Sequence, residues 1–336
     1  MKSIAWVVGI LVGIGVIIAG GLYFWNNRPT SESPEQQVAP KTAKTKSSPS
    51  AAQSAWQKGG LAVEGKFADA EVIDLGKGQY RMYYAVEPEV QGNNLEIYSA
   101  TSTDGINWTQ EEGTRKTMAT FPDVVLVPEG QYRLYFQTAG VIKSALSKDG
   151  LTFVDEAGTR LDATPPAGGP DNLTFENVAA PTTAKIGEEY VMVYRGTINE
   201  PYSTSVKTPN QNTQVLLWAT SKDGLTWEKK GLAIDTRNAT LFGLGDGPEW
   251  ARWDADTMKL FFWSYKGVFS STFSNGTFSA PRFEYTTPST SDAPIPTENQ
   301  FPPNPPGDPT LLKVGSTWYM YYGVHTVGIT YATLKE

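Results

Sequence analysis

The chain has 336 residues, 40% apolar and 19% charged, with 32 Gly and 23 Pro, a composition that excludes collagen, coiled coil and wholesale disorder. The absence of cysteine and the single histidine exclude disulfide frameworks, thiolate chemistry and zinc or haem centres that need several such ligands. A net charge of −7 offers no basic surface to a phosphate backbone, so no nucleic-acid partner is expected.

The first element in chain order is IAWVVGILVGIGVIIAGGLYFW, Ile4 to Trp25, an uncharged run of 22 residues. At about 1.5 Å per residue it matches a hydrocarbon core of about 30 Å. Trp6, Tyr23, Phe24 and Trp25 fall near its ends, where amphipathic rings favour the interface. Residues 1–25 are therefore predicted to be a transmembrane signal anchor; a cleaved signal peptide would have a shorter core and a cleaner small-residue site. Residues 26–55 are rich in Pro, Ser, Thr and Lys, too polar to offset their ordering entropy, and are predicted to be a disordered linker. Anchor and tether would hold the rest of the chain at the cell membrane, as a single-pass protein with its domain on the extracellular side.

From residue 56 to 336 the chain repeats itself. Five copies of a turn followed by an aromatic-rich strand are present: GKGQYRMYYA from Gly76, PEGQYRLYFQ from Pro128, IGEEYVMVYR from Ile186, DADTMKLFFW from Asp254 and VGSTWYMYYG from Val314. Most are followed by a hairpin with a tight Asp-Gly or Asn-Gly turn: SATSTDGINW from Ser99, SALSKDGLTF from Ser144, WATSKDGLTW from Trp218 and the worn STFSNGTF from Ser271. A short apolar strand precedes each aromatic one. Four short strands per copy without helical periodicity predict an all-β, five-bladed propeller, with a β-sandwich as the alternative. The fifth copy ends at ITYATLKE without an outermost strand, while WQKGGLAV at Trp56 aligns without a gap to WEKKGLAI at Trp227, the outer strand of the third copy. The N-terminal segment is thus expected to close the ring.

Tight turns between first and second strands, and between third and fourth, put the remaining connections on the opposite face. Several of these are long, and a loop-bearing face is where binding residues usually sit. The five inner strands open on that face as Asp69-Ala-Glu, Asp123-Val-Val, Ala180-Pro-Thr, Gly247-Pro-Glu and Asp308-Pro-Thr. Carboxylates converging on a narrow, partly desolvated mouth push one another's pKa values apart, which suits the acid and base of glycoside hydrolysis. The same aspartates could instead cap turns or pair with a neighbouring blade. Asp308, Glu249, Trp250 and Arg195 are candidates for holding a sugar. Exposed tryptophans would also suit glycan binding without cleavage, and a protein-interaction platform is a third reading.

The five-copy pattern, the D-P-T and D-V-V openings and the S-x-D-G hairpins resemble the five-bladed propeller superfamily of arabinanases, levansucrases and invertases. That resemblance implies a glycan partner, Asp69 as base or nucleophile and Asp123 as the group that tunes its neighbours. The third copy reads Ala179-Ala180-Pro181 where the superfamily carries its acid, so Glu176 or Asp246, the latter in a D-G-P triplet one copy later, would take that role. No cofactor is required; the resemblance also implies a possible central calcium ion, with His325 on the metal side.

Overall fold

A computed structural model describes residues 54–86, 95–166, 173–203, 206, 208–210, 212–286, 305–324 and 327–336. The predicted anchor and all but the last two residues of the predicted linker lie outside the described residues, among which no helix is long and apolar enough to cross a membrane. Residues 54–336 form one compact unit.

The unit is a five-bladed β-propeller of antiparallel four-stranded blades. From the channel outward, blade 1 consists of Phe67–Gly76, Gln79–Val86, Glu96–Ser102 and Thr109–Gln110. Blade 2 consists of Thr120–Val127, Gln131–Thr138, Val141–Ser147 and Val154–Asp155. Blade 3 is made of Asn177–Ile186, Glu189–Ile198, Thr213–Ser221 and Glu228–Ile234. Blade 4 comprises Asp246–Arg252, Met258–Ser264, Gly267–Ser274 and Thr277–Phe278, with Arg282–Tyr285 also paired to its third strand. Blade 5 is Gly307–Val314, Thr317–Val324 and Gly328–Lys335, completed by Gln57–Glu64 from the other end of the chain. The closing strand predicted from the Trp56 and Trp227 alignment is therefore present, pairing Gln57 with Thr333 and Glu64 with Gly328. It leaves the ring without an open seam.

Each aromatic strand is the second of its blade and buries its rings on both faces; Tyr83, Tyr84, Tyr135, Tyr194, Phe261, Phe262, Tyr321 and Tyr322 are all fully buried. Large side chains on both faces fill the wedge between neighbouring blades, which explains the aromatic content. The Asp-Gly hairpins are held locally. In blade 2, Asp149 Oδ1 accepts the Leu151 and Thr152 N–H groups at 2.8 and 2.9 Å and the Ser147 hydroxyl at 2.8 Å. Those bonds, the backbone ones first, hold its carboxyl down at about 2. The mouth face is less uniform than the sequence suggests. The connection between second and third strands is long in blades 1 and 3, yet only two residues in blade 2, Ala139-Gly140, and in blade 4, Tyr265-Lys266.

Candidate functional site

One irregularity repeats in all five inner strands and builds the mouth. Pairing with the second strand skips between Ala68 and Glu71, Thr120 and Asp123, Ala179 and Thr182, Asp246 and Glu249, and Gly307 and Thr310. The first bulged residue has a left-handed backbone each time: Asp69 (φ 53°), Phe121 (51°), Ala180 (46°), Gly247 (49°) and Asp308 (47°). In four copies the next residue is proline, which has no N–H to leave unpaired at a bulge. This corrects the register read from the sequence. The second copy opens at Phe121-Pro122-Asp123, so Asp123 stands two residues deeper than Asp69 and shares its level with Glu71, Thr182, Glu249 and Thr310.

Two stacked rings of side chains result. The upper ring, with its neighbours, lines a small cavity of about 20 Å³, room for about one water; Asp69, Asp308, Glu71, Glu249, Phe121, Ala180 and Gly247 all contribute to its wall. Asp308 lies flat against blade 4, where a Cβ on Gly247 would come within 2.3 Å of its Oδ1, so only glycine fits there. Trp263 Nε1 donates to that Oδ1 at 3.1 Å.

The lower ring fastens the blades together. Thr310 Oγ1 accepts the Val72 N–H and Thr182 Oγ1 the Trp250 N–H, both at 3.1 Å. Glu71 accepts from Val124 and Asp123 from Thr183 in the same sense around the ring. Both threonine hydroxyls donate to Glu249, one to each carboxyl oxygen at 3.2 Å, and Glu71 is hydrogen-bonded to Glu249 across the channel. Burial of three carboxyls so close together keeps protons on them. Desolvation, then repulsion from Glu249 and Asp123, raises Glu71 well above the usual carboxylate range. Desolvation brings Asp123 to about 7, and desolvation followed by Asp123 repulsion brings Glu249 to about 8.

The other sequence candidates fall elsewhere. Asp246 is ion-paired to Arg195 and its Oδ1 accepts the Gly247 N–H at 2.9 Å. Arg195 also lies 5.1 Å over the Phe121 ring, so it bridges blades 2 and 4 above Ala180. Glu176 is exposed ahead of the third inner strand and is not part of the cavity wall. Trp250 is buried between blades 3 and 4, its ring packed on Phe273 and Phe278 and its Nε1 donating to Val191, so it is not presented at the mouth. His325 lies outside the described residues. Among the described residues no three His, Cys, Asp or Glu side chains are arranged to hold a metal ion, and the calcium ion implied by the resemblance has no such set of ligands there. Glu249 is among the sequence candidates for holding a sugar, whereas its partner Glu71 is not read as a site residue there. Its signal is an acidic residue two positions after the bulge in D-A-E, F-P-D and G-P-E.

No family model matches the chain, and no curated protein is similar in sequence. Solved structures with the same fold are found at low identity. A proposed glycoside hydrolase from Parabacteroides distasonis has a TM-score of 0.57 at 14% identity over 84% of this chain and 97% of its own. A structure from the GH130 family, described as mannoside phosphorylases that include hydrolases of β-1,2 mannosidic linkages in Candida mannan, gives 0.56 at 14% identity over 86% and 96%. A Bombyx mori GH32 β-fructofuranosidase gives 0.54 at 13% identity over 83% of this chain and 61% of its own. The likeness extends to the fold that these solved structures share with this five-bladed propeller.

Proposed function

We propose that this protein is a membrane-tethered glycosidase that hydrolyses an extracellular glycan at the loop-bearing mouth of its propeller. The observation that carries the reading is one cavity with Asp69 and Asp308 at its rim and two proton-holding carboxyls, Glu71 and Glu249, in its wall. Several carboxyls facing one space, two of them holding protons, supply the groups that acid and base roles require. In this reading Asp69 attacks the anomeric carbon or activates water, and Glu249, backed by Glu71, protonates the leaving oxygen. Once Asp123 ionises, above about pH 7, its charge further favours the protonated form of both glutamates, a tuning role like that implied by the resemblance. The proton donor thereby moves from Glu176 or Asp246 to the Glu71–Glu249 pair. The uncharged run at 4–25 and the polar stretch to residue 55 support a single-pass anchor with the propeller outside the cell.

A second reading, glycan binding without cleavage, draws on Phe121 and Ala180, which occupy two of the five upper-ring positions. One experiment separates the two. Sugar release from arabinans, xylans, fructans and mannosides is measured alongside binding, for the wild type, Asp69→Asn and Glu249→Gln. Release that falls by at least about 10³-fold in Asp69→Asn supports hydrolysis, in line with loss of a group that acts on the reacting carbon. Retained binding without release from any substrate overturns it in favour of the second reading.

A further inference from the structure

Blade 4 carries, beside the mouth, a cation that the fold does not use. Tyr265 and Lys266 form the two-residue connection on the mouth face. Lys266 is only 8% exposed, and its Nζ lies 4.5 Å from the centre of the Phe242 ring. It makes no ion pair or hydrogen bond among the described residues, and burial lowers its pKa without a carboxylate to offset the effect. The arginines differ: the buried Arg81 and Arg133 and the half-buried Arg195 each face a carboxylate, and the buried Arg115 and Arg160 donate to backbone carbonyls. The lysine stem is buried while its ammonium keeps access to solvent, and an anion arriving beside it would meet a cation that no carboxylate pairs among the described residues.

The surroundings indicate what kind of anion. Phe242, Leu244 and Tyr265 form a buried cluster against which Tyr202 and Trp263 pack. Trp263 is also the residue that donates to Asp308 at the rim, so one indole joins the Lys266 wall to the mouth. Ring faces beside one cation that no carboxylate pairs among the described residues match a sugar ring bearing an acid group.

We propose that Lys266, Trp263 and Phe242 form a subsite for an anionic sugar, a uronic acid residue of the glycan held at the mouth, whose carboxylate bonds the Lys266 ammonium. This subsite rests on the glycan-acting reading of the mouth. The test is binding of full-length protein at low salt to oligomers of galacturonate, glucuronate and mannuronate, each against its carboxyl-reduced neutral counterpart. A chain of net charge −7 should otherwise repel the acidic member. At least one acidic oligomer should bind roughly tenfold tighter than its counterpart, the effect of one charge-assisted bond. The preference should vanish in Lys266→Met and survive in Lys266→Arg, with thermal unfolding confirming that both variants fold. Equal affinities within every pair, or a preference that Lys266→Met leaves intact, overturn the subsite while binding to neutral glycans keeps the parent reading. Failure to bind any glycan overturns both.

Discussion

The seams between blades are of two kinds. Between blades 1 and 2, Arg81 Nη1 donates to the Asp149 carbonyl at 3.1 Å and Tyr83 Oη to the Gly150 carbonyl at 2.9 Å, while Glu111 holds the guanidinium through two bonds of 2.8 and 3.0 Å. Between blades 2 and 3 the same parts recur as Arg133, Tyr135, Glu156 and the Asp223-Gly224 hairpin. Tyr321 makes the equivalent bond from blade 5 to Gly105 at 2.6 Å. Between blades 3 and 4 the arginine and tyrosine positions hold Val191 and Val193, and the seam is a cluster of Trp218, Trp250, Phe273 and Phe278. Between blades 4 and 5 they hold Lys259 and Phe261, with Trp253 stacked on Trp318 at 4.8 Å. The polar clamp exists only where the next blade presents an Asp-Gly hairpin. Blade 4 has Asn275-Gly276 instead and blade 5 has no such hairpin, so apolar area replaces directed bonds.

That contrast can be broken most sharply at its centre. Arg133→Met leaves the half-buried Glu156 carboxylate with Ser144 alone and should cost about 3 kcal/mol, read by denaturant unfolding. Adding Glu156→Leu should recover most of the loss, because an apolar pair replaces a buried ion pair at little cost. Trp250→Ala in the apolar seam should lose a similar amount through its cavity, and no single partner change should rescue it. If the arginine variant unfolds no earlier than wild type, the clamp is ornamental.

Glycine substitution gives a smaller, cleaner contrast. A Cβ on Gly224 would stand 2.5 Å from Arg133 Nη1 and 2.7 Å from Tyr135 Oη, whereas on Gly276 the nearest neighbour is Trp218 at 3.8 Å. Both have φ above +70°, so each alanine variant carries a strain of about 1 kcal/mol. Gly224→Ala should cost roughly 1–2 kcal/mol more than Gly276→Ala, since it must also displace the clamp. Equal losses by calorimetry would show that the clamp yields freely.

The smallest effect expected is on the pH dependence of stability. Unfolded carboxyls titrate near 4, whereas Asp123 and Glu249 keep protons up to about 7 and about 8 in the fold. The folded state therefore binds more protons across that window. The stabilisation is full below about pH 4 and is lost as pH rises through 7 and 8. The exposed hairpin aspartates, with lowered values, act in the opposite sense only below pH 4. The melting temperature should fall by about 2–4 °C between pH 5 and 9, and Glu249→Gln should flatten the slope. A flat wild-type profile would mean that the lower ring stays protonated or is hydrated throughout.

Much of this was legible in the chain. The blades, the Asp-Gly hairpins and the closing strand follow from patterns a few residues long, repeated along the chain with the last copy lacking its outer strand. The site was legible only in part. Asp69, Asp308 and Glu249 do meet at the mouth, but Asp123 was aligned by its D-V-V opening, and the Phe121-Pro122 bulge that sets its true level carries no acid to attract notice. A bulge of one residue changes which side chains face the channel, and its place is marked by proline rather than charge.

By itself, then, the sequence determined the all-β repeat, the number of blades and the way the ring closes, because strand, turn and repeat are properties of neighbouring residues. Only the tertiary structure decided which carboxyls share a space, which is paired to Arg195, and that no carboxylate among the described residues pairs with Lys266. Burial and partnership there are set by residues from different blades, far apart along the chain, whose meeting depends on the register of five bulges around a common axis.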